Sequence, residues 1–317
     1  MADIIGLPSC VSPDTEFNTG VPLCDLIKGR IIGVIFADKG KTFTSSDCAS
    51  SASLISAVKT ATTAARGGRV YPVWALLNFE DNTGDPSTGS IGNLTTATIV
   101  TQDGVPQFKF GYNGGEIQHK VMTALTGGSY DVFFVDASYA MYGYKTSAGE
   151  IHGYSILQAY VDPSKFTVAD AVNKYSFRVT LADIKQYRDQ TTFVITNSGI
   201  LAAVGLINVR VTELSHVTNV YKMKVIADGG TDLEPINGAA IAGLTWTAKK
   251  VSDGTAFIIT STADDVANKA ITVTFDSTTF TALPSGAQIQ LYGPTAAALS
   301  GAGVKPYEFV SVIITKP

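Results

Sequence analysis

Apolar residues fall along the chain in short runs, most with strand spacing and two with helical spacing. Residues 31–36 (IIGVIF) and 130–135 (YDVFFV) are almost continuously apolar, as in strands covered on both faces. In 173–181 (NKYSFRVTL), Tyr175, Phe177 and Val179 alternate with polar neighbours, which predicts a strand with one buried face. Residues 69–79 also read as a strand, with Pro72 pointing to an edge or a bulge. Residues 94–101 and 106–112 predict a hairpin about Asp103-Gly104, and further strands are expected at 139–145 and 150–161. Helical spacing of Leu54, Ile55 and Val58 predicts a helix over 45–65, capped by Ser46 or Asp47 and stopped at Gly67-Gly68. Its other positions are small and barely charged, which predicts packing on both sides. A second helix is expected over 115–126, with Ile117, Val121, Ala124 and Leu125 as its apolar stripe and Gly127-Gly128 closing it.

The punctuation between these runs divides the chain. Residues 1–30 are rich in proline and turn formers and predict an extended arm or a loop that orders against another surface. Residues 80–93 (EDNTGDPSTGSIGN) read as a polar loop longer than an ordinary hairpin turn, either mobile or used for contacts. After a charged connector at 182–190 the chain changes character. From 191 onward no helix is expected, and short strands recur between turn formers such as Asp228-Gly229-Gly230 and Asp253-Gly254. That pattern predicts an immunoglobulin-like β-sandwich over 191–317, with Trp246 in its core. The expectation is therefore a mostly β protein. An α+β half, 1–190, forms a β-barrel or sandwich with two short helices, and a β-sandwich follows it.

Composition narrows the function. Hydrophobic residues make up 45% of the 317 positions, enough for a core, while charged residues are only 16%, well below the usual share. A surface so poor in charge suits burial between subunits. The net charge of −4 argues against tight binding to nucleic-acid phosphates. The first ten residues lack a basic, apolar leader, so no signal peptide is expected, and no apolar run of about 18 residues predicts a membrane span. Cys10, Cys24 and Cys48 form no metal-binding spacing and read as free thiols.

The search for chemistry is negative. His119, His152 and His216 lie in no zinc or protease motif, and neither a phosphate loop nor a nucleophile elbow occurs. Gly114-Gly115 reads as a turn, because Glu116 at the following helix start repels an anion. Asp264-Asp265 reads as a solvated turn, and Asp136 as the cap of the turn after its strand. No catalytic residue, cofactor or metal site is expected. Tyr139, Tyr142, Tyr144, Tyr154 and Tyr160 crowd one region, where they can form a cross-strand ladder or anchor a protein interface. Asp81, Asp85, Pro86 and Ile91 from the long loop, with Tyr142 and Tyr144, are the candidate interface residues.

The order of elements resembles the tail-tube (major tail) proteins of long-tailed bacteriophages, some of which carry a C-terminal immunoglobulin-like domain. The likeness rests on the segment TATIVTQDGVPQFKFGY, the helix EIQHKVMTAL, the strand YDVFFVDAS with MYGYKT, and NKYSFRVTLADIKQYRD. It implies a structural virion protein: hexameric rings stacked into a tube, with strands from each copy closing a barrel around a lumen. DNA would pass through that lumen without specific contacts. Partners would be other copies and other virion proteins, with no membrane. The loop 80–93 would reach the next ring and residues 1–30 would serve as an arm. Alternatives are another virion structural protein, such as a capsid decoration, neck ring or head fibre, or a surface adhesin or binding module. An enzyme with an appended sandwich is the remaining class.

Overall fold

The computed structural model describes residues 29–90, 98–112, 114, 116–146, 149–164, 175–305 and 307–317. The protein is mostly β, as the sequence predicts. It divides into two compact units, residues 1–205 and 206–317. Among the described residues, no helix is long and apolar enough to cross a membrane. The arm expected at 1–30 lies outside the described residues apart from Gly29 and Arg30.

Unit 1 opens with β1 (Ile31–Asp38), β2 (Thr42–Phe43), α1 (Ser51–Thr62), β3 (Val70–Val73) and β4 (Leu76–Asp81). There follow β5 (Ser87–Ser90), β6 (Thr98–Gln102), β7 (Gln107–Tyr112), α2 (Glu116–Met122), β8 (Tyr130–Asp136) and β9 (Ala140–Lys145). It ends with β10 (Ile151–His152), β11 (Tyr154–Val161), β12 (Tyr175–Leu181), α3 (Ile184–Arg188) and β13 (Thr191–Ile195).

The main sheet curls. Its ladders run from β1 to β8, then β11, β12, β7 and β4. The run predicted as one strand over 69–79 is bent at Trp74-Ala75, where Ala75 takes a positive φ of 58°. Its first half, β3, pairs β1, and its second half, β4, pairs β7. The segment thus returns the sheet to its starting strand. Trp74 lies over Gly33, where a Cβ would sit 2.2 Å from the indole, and its Nε1 donates to Ala203 O at 2.6 Å. A side branch leaves through β9, which pairs β8, β10 and β13. Strands β10 and β11 are one run split at Gly153. Gly143 lets the branch close up, since a Cβ there would meet His152 O at 2.2 Å.

Two cores result. Inside the curl, Phe36, Phe108, Phe110, Phe134 and Phe177 pack with Tyr112, Tyr142 and Tyr154. Phe110 stacks on Phe177 with ring centres 5.0 Å apart. On the other face, α1 covers the sheet with Leu54, Ile55, Val58 and Ala61 against Ile35, Phe133, Val135 and Met141. Helix α1 begins later than predicted: Ser50 is its cap and accepts the Ser53 N–H at 3.0 Å. It is buried on one side only, because Ala52, Ser56 and Lys59 face solvent. In α2 and the 3-10 turn after it, the buried positions are His119, Met122 and Leu125, while Val121 and Ala124 are exposed. The expected stripe is shifted round the helix, and the Ile117 side chain lies outside the description.

Unit boundary and pairing also differ from expectation. Strand β13 belongs to unit 1, laddered to β9 from Thr191 to Ile195, and Ile200 and Ala203 enter the α1 core. The division therefore falls at 205, not 190. The connector 182–190 contains α3, capped by Asp183, which accepts the Lys185 N–H at 2.8 Å.

Unit 2 comprises β14 (Ile207–Val217), β15 (Val220–Ala227), β16 (Thr231–Asp232), α4 (Glu234–Ala242), β17 (Thr247–Lys250), β18 (Ala256–Phe257) and β19 (Ile259–Asp265). Then come β20 (Ala270–Phe275), α5 (Ser277–Thr281), β21 (Gln288–Tyr292), α6 (Ala296–Gly301), β22 (Tyr307–Val310) and β23 (Val312–Thr315). One sheet has the order β19-β20-β15-β14-β22, with β16 beside β15, and a second has the order β18-β17-β21-β23. A single core fills the space between, from Tyr221, Met223, Ile271 and Phe275 to Ile289 and Leu291. Trp246 is in it as expected, its Nε1 donating to Ile241 O at 3.1 Å. The first strand, β14, and the next-to-last, β22, pair in parallel. The three helices correct the expectation of none. Their sequences carry little periodic signal: α4 reads EPINGAAIA and buries small residues such as Gly238 and Ala242.

Candidate assembly surface

Segment 80–93 is not a plain loop. Glu80 and Asp81 end β4, and β5 pairs β6 antiparallel from Ser87–Gln102 to Ser90–Thr98. The hairpin expected between 94–101 and 106–112 is therefore not formed: β6 turns back on β5, and β7 joins β4 and β12. The alternation of a strand tells which face is buried, but not which neighbour it takes.

The result is a two-stranded ribbon connecting β4 to β7. Its base is tied in three places. Asn82 N–H donates to Gln107 O at 2.8 Å. Gly84 and Gly104 lie so close that a Cβ on Gly104 would be 1.9 Å from Gly84 O. Arg188 Nη1 meets Asp103 Oδ1 at 3.2 Å. Among the described residues, β5 and β6 pair with no other strand. A two-stranded ribbon is marginal by itself in water, and is steadied when another surface covers it.

Beside the ribbon, β4 is the outer strand of its ladder, and five of its six residues are exposed. Leu77 and Phe79 keep 47% and 37% of their surface. Phe79 stacks on Phe108 at 5.6 Å, at the mouth of an aromatic crevice lined also by Ile31, Phe134 and Tyr187. Glu80 pairs with Lys109 at 3.1 Å on the opposite face. An exposed outer strand carrying Leu77 and Phe79, next to a ribbon paired only with itself, is a surface suited to contact with another chain.

The candidate interface residues separate on this geometry. Asp81 is exposed and accepts the Thr83 N–H at 3.0 Å. Asp85 and Pro86 are exposed on the way into β5. Ile91 lies outside the described residues. Tyr142 is misassigned as a surface anchor: it is buried in the curl, its hydroxyl donating to Asp136 Oδ2 at 2.8 Å. Tyr144 is half-buried, its ring tilted against that of His152 with centres 5.2 Å apart. Tyr142 and Tyr154 serve the core of the curl, and of the cluster only Tyr160 is well exposed. Sequence reasoning misses Leu77 and Phe79, because an apolar residue near a strand end carries the same pattern whether it is covered or exposed.

Asp136 is the cap the sequence suggests. Its Oδ1 accepts the N–H groups of Ser138 and Ala140 at 2.9 and 3.0 Å, and its Oδ2 the Gly29 N–H at 3.2 Å. His119 is packed, its Nδ1 2.9 Å from the Tyr112 hydroxyl and its ring on Tyr175. Cys48 is buried; burial first, then the Asp47 charge, push its thiol up to about 12. Among the described residues no three His, Cys, Asp or Glu side chains are placed to hold a metal ion. No family model matches the chain, and neither a curated protein nor a solved structure matches it.

Proposed function

We propose that this chain is a structural virion protein, the subunit of stacked sixfold rings that form a phage tail tube through which DNA passes. One observation carries the reading: the β5–β6 ribbon follows the exposed strand β4 and pairs with no other strand among the described residues. A second copy covering it would bury Leu77 and Phe79 and steady the ribbon. The low charge of the chain fits a surface shared between copies. The curl of unit 1 is already returned to β1 by segment 70–81, so neighbours add to its edge rather than complete its core.

Negative-stain imaging of the purified full chain tests this. Rings and hollow tubes are expected. Replacing residues 83–105 with a short glycine turn should leave rings and abolish stacking. A full chain that stays monomeric at high concentration would refute the reading, and tubes of normal length from the shortened variant would refute the ribbon's role.

A further inference from the structure

The first residue of α4 is a buried acid that faces a second acid, Asp264. Glu234 is only 4% exposed, and its backbone N–H points to Asp232 Oδ1 at 3.4 Å. Across from it on β19 is Asp264, and the two carboxyls line one open depression with Pro235, Ile236, Val266 and Lys269. Helix and strand are pressed together there: a Cβ on Gly238 would sit 2.4 Å from Asp264 Oδ1. That same oxygen is buried and has no hydrogen-bond donor.

The charged groups around the pair are largely engaged elsewhere. On β15, Lys222 holds Asp265 at 2.8 Å and Lys224 reaches Asp232 at 3.5 Å. Asp232 on β16 adds a further negative charge to the surroundings of Glu234, and Lys269, exposed in the turn after β19, is the cation that opposes it. Strand β20, also packed on α4, carries no charged residue. Two ionised carboxylates have no donor to share, and like charges in contact disfavour a second ionisation. A proton on Glu234 supplies a donor for Asp264 Oδ1 and removes the repulsion.

We propose that Glu234 keeps its proton and donates it to the unpartnered Asp264 Oδ1, a clasp joining α4 to β19 that is closed in acid and loosened as rising pH removes that proton. Burial, then the Asp264 charge and a hydrogen bond with that carboxyl, raise the Glu234 acid above its ordinary range. A raised acid binds its proton more tightly in the folded chain. Its stabilising contribution is therefore full below the ordinary glutamate range, about pH 4.3, and is lost as pH climbs through the raised value. The clasp lies wholly within unit 2, and its test does not depend on assembly.

The test is a carboxyl-carbon NMR titration of the full chain, paired with thermal melts of the wild type and Glu234→Gln at pH 4.5 and pH 8. Glu234 should titrate above the ordinary glutamate range. The glutamine, a permanent donor to Asp264, should raise Tm at pH 8 by at least about 2 °C and leave it unchanged or lower at pH 4.5. Titration of Glu234 within or below the ordinary range would overturn the proposal, as would an equal offset of the variant at both pH values. Should E234Q fail to fold, the wild-type titration decides alone.

Discussion

Changing Tyr142 to phenylalanine removes one hydroxyl from the middle of unit 1 and leaves the ring in place. That hydroxyl donates to Asp136 Oδ2 at 2.8 Å, in a site where Tyr142 is 3% and Asp136 1% exposed. A hydrogen bond to a charged acceptor contributes about 1.5–3 kcal/mol. Asp136 keeps three backbone N–H donors, from Gly29, Ser138 and Ala140, so the loss belongs at the lower end. We expect Y142F to cost about 1.5–2 kcal/mol, or roughly 3–8 °C in the Tm of a unit this size. Burial, then the Asp136 hydrogen bond and charge, raise the Tyr142 hydroxyl above its ordinary value. A raised group contributes fully below its unfolded value, so the cost should be constant from neutrality up to about pH 10. Urea unfolding followed by circular dichroism measures it, with Tyr144→Phe as control. Tyr144 is half-buried with its ring tilted against that of His152, and Y144F should stay within about 0.5 kcal/mol. A Y142F chain as stable as wild type but unable to assemble would refute this reasoning and restore Tyr142 to an interface.

Two further outcomes follow from the cores. Phe110 is fully buried between Phe134 and Phe177, and Phe110→Ala should cost about 3–5 kcal/mol by urea titration; a loss under about 1 kcal/mol would mean the curl is not the core of unit 1. In a chain with Cys10→Ser and Cys24→Ser, the buried Cys48 thiol, raised to about 12, should resist a thiol reagent at pH 8 until denaturant is added; rapid native labelling would contradict its burial.

Short-range physics made much of this protein readable before its structure. The near-continuous apolar run at β8 is buried over six of its seven residues, and the alternation of β12 puts Tyr175, Phe177, Val179 and Leu181 inward. Gly127, with φ of 77°, follows the second helix and its 3-10 turn, Asp136 caps its turn, and Trp246 is in the core. Each depends on periodicity or on a side chain reaching its own backbone, and both are written locally. Partner choice is not. That β6 takes β5, that segment 70–81 bends at Ala75 to serve both β1 and β7, and that β13 crosses the expected boundary were decided by tertiary packing. Strand alternation is the same for any neighbour, so the energy that selects one comes from side chains distant in sequence. The same holds for Tyr142, whose ring suits a surface or a core equally until Asp136 and the curl around it are in place. It holds too for Glu234 and Asp264, thirty residues apart, whose meeting required α4 to dock on β19 through the bare backbone of Gly238.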